Sequence, residues 1–478
     1  MSKSRVISIT VALVIIGFGY TDAYPCDIAV VSARVSSTGR PFIWKSLDAS
    51  GEWHQEIKYY TAVTAKAGAY IMATDYDVWA QLNTGTQVNP HGGLNEAGFA
   101  ISATSVYEDF IPIHEALNIN TELIREALQQ CATIADFEAL LRSFHHDHFG
   151  KVISGNFVVI DANGGAALFE VYSDPIVGMI RPVMYRIFDA NNGNVTFFDF
   201  LFPVTIPGPG DSFVGFVNRT NANTYLPIQY GEERRWRAND LLNNLANTGR
   251  LNYRNLMTEV AKDVYGQQLD ASGNQLDQAS CQSDYSTTYC ISRAATRLAM
   301  VVDGVAPGKD PRLSTFWCAL GEPSVSVFLP YFVNAREVSW LAWVDDVDMD
   351  GKKYDLNDAS LLARASNRRE VFENLLYDSN EGNVLTGMDD KNINKIELAK
   401  VQQWTFPLDD FIFRKSEEYL ADMTAHPSYL TTDNLRNFSD YCADYMYNNY
   451  NEGSATSYAW TFAKPWGSAW VGSTRGGL

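Results

Sequence analysis

The stretch CDIAVVSARVSSTGRPFIWKSLD, residues 26–48, decides the fold. Residues 28–35 form an apolar run that reads as a strand. Ser36, Ser37, Thr38 and Gly39 then make a turn cluster, and Phe42, Ile43 and Trp44 open a second apolar run. Two apolar runs around a polar turn predict a β-hairpin with Cys26 at its open end. A return strand of matching length carries Lys45 and Asp48 back towards Cys26, so a cation and a carboxylate approach a thiol and its backbone nitrogen. A cysteine attacks as the thiolate and needs a base and nearby charge to form it. The hairpin is therefore a candidate catalytic unit as well as a piece of core.

What precedes Cys26 reads as a secretory signal over residues 1–23. Lys3 and Arg5 give a basic start, residues 6–18 are mostly apolar, and Thr21, Asp22 and Ala23 stand at the cleavage point. The apolar run falls short of the roughly 20 residues a membrane helix needs. No later segment looks membrane-spanning, so the expectation is an exported protein without stable membrane insertion after signal cleavage. Cleavage after Ala23 leaves Tyr24 and Pro25 ahead of Cys26, and self-processing by Cys26 is the expected second step.

At 478 residues the chain exceeds the usual size of one domain. A hydrophobic content of 46% with 19% charged residues describes a folded globular protein. A net charge of -19 argues against a nucleic-acid partner, whose phosphates would be repelled. Six cysteines in an exported chain permit disulfides. Cys281 and Cys290 flank a polar loop and make the best candidate pair, whereas Cys131, Cys318 and Cys442 read as core residues.

Further along, HGGLNEAGFAIS at 91–102 predicts a glycine-permitted turn feeding a core strand, with Asn95 on the turn. Its side-chain amide suits an oxyanion donor, a role that competes locally with turn stabilisation. Residues 121–132 and 133–144 show helical patterns, the second opening on a capping-type arrangement. The segment GNFVVIDANGGAALFEV at 155–171 is a hairpin around Asn163 and Gly164, with Asn156 at the entrance to its first strand as a second candidate oxyanion donor. Arg219, Arg234 and Arg235 are the candidate substrate clamps, since a guanidinium grips a carboxylate through paired hydrogen bonds. Sheet candidates at 291–303 and 312–331 follow. Beyond about residue 340, patterns at 358–378, 394–423 and 432–450 predict a mainly helical C-terminal region, with Pro407 interrupting the middle helix.

Two motifs imitate metal sites. The run HHDH at 145–148 lacks a spaced partner set, and Asp346, Asp348 and Asp350 open like a calcium loop but meet Asn357 where a bidentate Glu belongs. No metal and no organic cofactor is expected.

The order of these segments, from Cys26 through TGRPFIWKSLD, GGLNEAGFAIS and GNFVVIDANGG to LGEPSVSVFLP, resembles the N-terminal-nucleophile (Ntn) hydrolases. Within them it is most similar to the branch of isopenicillin-N acyltransferase-like proteins and linear amide hydrolases, with choloylglycine hydrolases and cysteine dipeptidases further off. The resemblance covers roughly residues 26–335. It implies an α+β fold, an αββα sandwich of antiparallel sheets over residues 24–340, followed by the helical region at 341–478. It implies Cys26 as nucleophile, Asp48 as its electrostatic support, Lys45 as the basic neighbour, and Asn95 and Asn156 near the oxyanion. Asp27 departs from the Thr or Ser common after such a cysteine. The activity implied is cleavage of a linear amide C–N bond in a small molecule through a thioester on Cys26, with acyl transfer to an amine as a variant. A secreted dipeptidase of the same superfamily and a noncatalytic secreted binding protein are the alternatives.

Overall fold

The computed structural model of the chain describes residues 26–48, 54–76, 89–106, 119–147, 151–173, 183–198, 204–207, 214–224, 231–265, 285–286, 290–339, 342, 392–449, 459–463 and 469–473. The first half supplies β1 (Asp27–Val31), β2 (Phe42–Asp48), β3 (His54–Tyr60), β4 (Tyr70–Tyr76), β5 (Pro90–Asn95), β6 (Ala100–Ser105), and helices α1 (Asn120–Gln130) and α2 (Ile134–Asp147). Next come β7 (Ser154–Ile160), β8 (Ala166–Tyr172), β9 (Met184–Asp189), β10 (Asn194–Phe198), β11 (Val204–Pro207), β12 (Phe216–Arg219) and α3 (Glu232–Asn247). A short turn of helix, Tyr253–Asn255, runs into a π-helical turn, Leu256–Val260. The chain continues through β13 (Tyr285–Ser286), β14 (Thr296–Asp303), β15 (Thr315–Leu320), β16 (Leu329–Tyr331), β17 (Asn392–Ile393), α4 (Lys395–Ala425), α5 (Thr432–Asn449), β18 (Ala459–Ala463) and β19 (Ala469–Ser473).

Two antiparallel sheets result. One is six-stranded in the order β12-β1-β2-β14-β15-β16, and the other nine-stranded in the order β11-β10-β9-β8-β7-β6-β5-β4-β3. Side-chain alternation on the second sheet explains the layering. On β7, Val158 and Ile160 join the core shared with the first sheet, while Phe157 and Val159 join a separate core with Leu123, Ile124, Phe137 and Leu141 of α1 and α2. A strand buried on both faces needs a layer on each side, and the helices provide the outer one. The first sheet is covered on its far face in the same way. Leu242 and Leu245 of α3, Leu256 and Val260, and Ile412 and Phe413 of α4 join one core with Trp44 and Trp317. The architecture is thus an αββα sandwich.

The hairpin at 26–48 forms as the sequence implied, with Asp27 opposite Ser46, Ile28 opposite Lys45 and Val31 opposite Phe42. The second hairpin closes through Gly164 at φ 88, a conformation that favours glycine.

The C-terminal helices share the main core. Phe413 packs edge-on against Trp317 at 5.2 Å, and Tyr419 stacks on Phe438 at 4.1 Å. Lys262 pairs with Asp409 of α4 in full burial. Pro407 does not interrupt α4, which runs continuously through it. A proline inside a helix costs about 3 kcal/mol, and the buried Leu408, Ile412, Phe413, Tyr419 and Met423 along the same helix offset that. Cys131, Cys318 and Cys442 are buried thiols, as expected of core residues, and Cys290 is a free buried thiol donating to Val264 O at 2.9 Å. Cys281, the segment 1–25, the pattern at 358–378 and the acidic loop from Asp346 to Asp350 lie outside the described residues, as do the side chains of His145, His146 and His148.

Candidate active site

Four strand ends meet at one edge of the six-stranded sheet. Cys26 leads into β1 and Asp48 closes β2, while Asn221 lies just beyond β12 and Arg293 just before β14. Antiparallel pairing of neighbouring strands brings these sequence-distant positions together. Cys26 is buried, and its backbone nitrogen donates to Asn221 Oδ1 at 2.6 Å. Asn221 in turn donates through Nδ2 to Ser105 O at 2.7 Å, which ties it to the opposite sheet.

Asp48 is held from three directions. Arg293 Nε donates to its Oδ2 at 2.9 Å, Arg234 Nη1 to the same oxygen at 3.2 Å, and Thr296 Oγ1 to its Oδ1 at 2.6 Å. Thr296 is also the cross-strand partner of Asp48, so the β2–β14 register itself delivers the hydroxyl. Arg234 Nη1 is shared, because it also lies 3.2 Å from Asp27 Oδ2. Gly231 makes room for this guanidinium, since a Cβ there would come within 2.5 Å of Arg234 Nη2, and its φ of 80 lies in the left-handed region. Lys45 is buried and donates to Ala103 O of β6, so it spans the two sheets beside Cys26.

These charges act on the thiol in opposition. Burial pushes the Cys26 thiol up, Lys45 pulls it down, the Asp48 and Asp27 charges push it up, and the Asp48 backbone N–H pulls it down. Burial also pushes the Asp27 carboxyl up to about 6 against the pull of Arg234.

The sequence-predicted residues divide sharply. Cys26, Asp48 and Lys45 come together. The Asn156 amide is engaged elsewhere: its Nδ2 donates to Thr220 O at 2.8 Å and Ala222 O at 2.9 Å, so it clamps the loop that presents Asn221. Asn95 lies at the far end of β6 from Ser105, roughly 20 Å away at strand spacing. Its Nδ2 serves Leu128 O and Cys131 O, and its Oδ1 receives Ala97 N and Phe99 N, so turn stabilisation is what it does here.

None of the three arginines is a free clamp. Arg219 pairs with buried Glu170 at 2.7 Å over the Phe188 ring, and Arg235 pairs with Glu232 one turn back on α3. Arg234 belongs to the Asp27–Asp48 network. Asn221, Arg293, Thr296 and the pairing role of Asp27 were not picked out in the sequence. Each lies within a few residues of a strand end at the edge that carries Cys26, the one pattern that points to them.

No protein-family model matches the chain, and no curated protein sequence matches it. Among solved structures it is similar to a Caenorhabditis elegans N-acylethanolamine-hydrolyzing acid amidase ortholog, at 14% identity over 62% of this chain and 99% of that one, with a TM-score of 0.32. Two variants of conjugated bile acid hydrolase from Clostridium perfringens are also similar. One shows 10% identity over 62% of this chain and 89% of its own, the other 11% over 69% and 97%, each with a TM-score of 0.32.

Proposed function

We propose that the chain is a cysteine amidase of the N-terminal-nucleophile kind, exported and processed so that Cys26 becomes its first residue. The observation that carries this reading is the 2.6 Å hydrogen bond from Cys26 N to Asn221 Oδ1, which fixes the nitrogen of the same residue whose thiol Lys45 and Asp48 act upon. A backbone amide is no base, whereas a free α-amine titrates at about 7.7–8.0 and can take and return a proton near neutrality. Processing ahead of Cys26 therefore doubles as activation.

The thiol proton passes to the α-amine as sulfur attacks the carbonyl carbon of a linear amide. The tetrahedral oxyanion then collapses, the C–N bond breaks, and the departing nitrogen receives the proton from the α-ammonium. The acyl group stays on Cys26 as a thioester. Water, giving its proton to the same amine, releases the acid and restores the thiol, and an amine in place of water gives acyl transfer. Asn221 holds the nitrogen of Cys26 through Oδ1, with its Nδ2 turned to Ser105 O, so its role is to position the base rather than to donate to the oxyanion. Asp48 fixes Arg234 and Arg293 around the nucleophile. The expected substrate is a small-molecule amide.

Intact mass and N-terminal sequencing of exported protein test the reading, together with acid-quenched trapping of a thioester on the Cys26 peptide. The active form should begin at Cys26, and Cys26→Ala should keep its upstream residues and form no thioester. Fully active material that retains Tyr24 and Pro25 overturns the mechanism.

A further inference from the structure

Asp27 is a buried carboxyl next to the nucleophile to which the mechanism above assigns no step. Among the described residues, Asp48 has three side-chain donors, whereas Asp27 receives only the shared Arg234 Nη1, through Oδ2. Its Oδ1 is buried without a hydrogen-bond partner among them. Arg234 Nη2 and the hydroxyl of Ser46, the residue directly across the β1–β2 pair, are in the same condition. A carboxylate oxygen shut away from water without a donor disfavours the charged form.

The charged groups facing Asp27 are Arg234 from α3, Asp48 and Lys45 from β2, and Arg293 from the segment before β14. Three cations thus surround two acids, and one of the acids is weakly held.

We propose that Asp27 is a proton-carrying positioning residue that sets the pH at which the Cys26 thiolate forms. With its proton on, Asp27 leaves Arg234 to Asp48 and removes one negative charge from beside the sulfur. With the proton off, it opposes the thiolate and divides Arg234 between two acids. Ionisation of the carboxyl and of the thiol are therefore antagonistic, and the two titrate as a coupled pair. The upward displacement of Asp27 to about 6 and the upward push of its charge on Cys26 agree with this geometry.

The proposal deepens the reading of Cys26 as nucleophile, and its test needs no substrate. The rate of Cys26 carbamidomethylation by iodoacetamide is followed against pH by peptide mass on chain that begins at Cys26, for the wild type and Asp27→Asn. Removing the like charge should move the midpoint down, so that alkylation below the midpoint runs several-fold faster. If the folded Asp27→Asn chain keeps the wild-type midpoint or moves it upward, Asp27 does not set the thiolate. If that variant does not fold, Asp27→Ser takes its place, and an unmoved or raised midpoint overturns the proposal. Thiol alkylation proceeds whether or not any amide is cleaved, so a chain inactive on amides that shows the shifted midpoint would separate the two readings.

Discussion

Lys262 and Asp409 make a buried ion pair in which the partners are matched. Lys262 Nζ donates to Asp409 Oδ2 and to Ser326 O at 2.8 Å, and Asp409 Oδ1 accepts Phe328 N at 2.9 Å. The cluster at Cys26 is equally buried but mismatched: Arg234 Nη1 serves two acids, while Asp27 Oδ1, Arg234 Nη2 and Ser46 Oγ have no hydrogen-bond partner among the described residues. Satisfied buried charges hold elements in register, and unsatisfied ones cost stability that selection tolerates where charge must move. The first cluster fastens α4 to the segment that follows β15. The second leaves an imbalance beside the Cys26 thiol.

The sharpest way to break that comparison is Asp48→Asn. It removes the anion that holds Arg234 and Arg293, so turnover should fall by roughly 10²–10⁴-fold, the range for groups in acid–base catalysis. Stability should fall as well, by about 3–5 kcal/mol, because buried Arg293 loses the carboxylate it pairs with and Arg234 keeps only Asp27 of its two acids. Denaturant unfolding and kinetics on one preparation check both, and near-wild-type turnover in a folded chain would show that Asp48 belongs with the structural pairs. Lys262→Met should separate the two effects. Asp409 is left buried without its cation, so unfolding free energy drops by about 3–5 kcal/mol while turnover of the folded fraction stays unchanged. Adding Asp409→Leu should recover much of that loss, since apolar replacement of a whole buried pair is often neutral. Lost turnover in folded Lys262→Met would instead extend the active centre to α4.

Local patterning carried the scaffold and distance hid the site. The hairpins at 26–48 and 155–171 are readable because every residue of β2 and β7 is buried and the intervening turns are polar. Helices α1 and α2 are readable from their apolar faces. Asn221 and Arg293 are not, because their partners stand 195 and 245 residues away. Arg234 and Arg235 look alike in sequence, yet one step around a helix is about 100°, enough to send Arg234 into the core and Arg235 to Glu232. Asn95 and Asn156 illustrate the same limit. A polar amide at a strand end looks identical whether it serves substrate, a helix end or a loop, and only the partners Leu128, Cys131, Thr220 and Ala222 decide.

That distinction gives the smallest of the expected effects. Asn95 makes four hydrogen bonds, two as donor to Leu128 O at 3.0 Å and Cys131 O at 2.8 Å, and two as acceptor from Ala97 N and Phe99 N at 3.1 Å. Asn95→Ala strands these buried groups, so it should cost about 1–3 kcal/mol and lower Tm by a few degrees in a chain of this size. Turnover should not change if the reaction takes place at Cys26, as proposed, because Asn95 is tied to the β5–β6 turn and the end of α1. Asn221→Ala is the paired measurement: it releases Cys26 N, the proposed base, and should lower kcat by roughly 10²-fold, the low end of the range for acid–base catalysis. Asn95→Asp refines the contrast, since it keeps the acceptor for Phe99 N but aims a carboxylate at two carbonyl oxygens, and it should destabilise at least as much as Asn95→Ala. A fall in kcat for Asn95→Ala with Tm unchanged would return Asn95 to the catalytic set and mean that the turn moves during turnover.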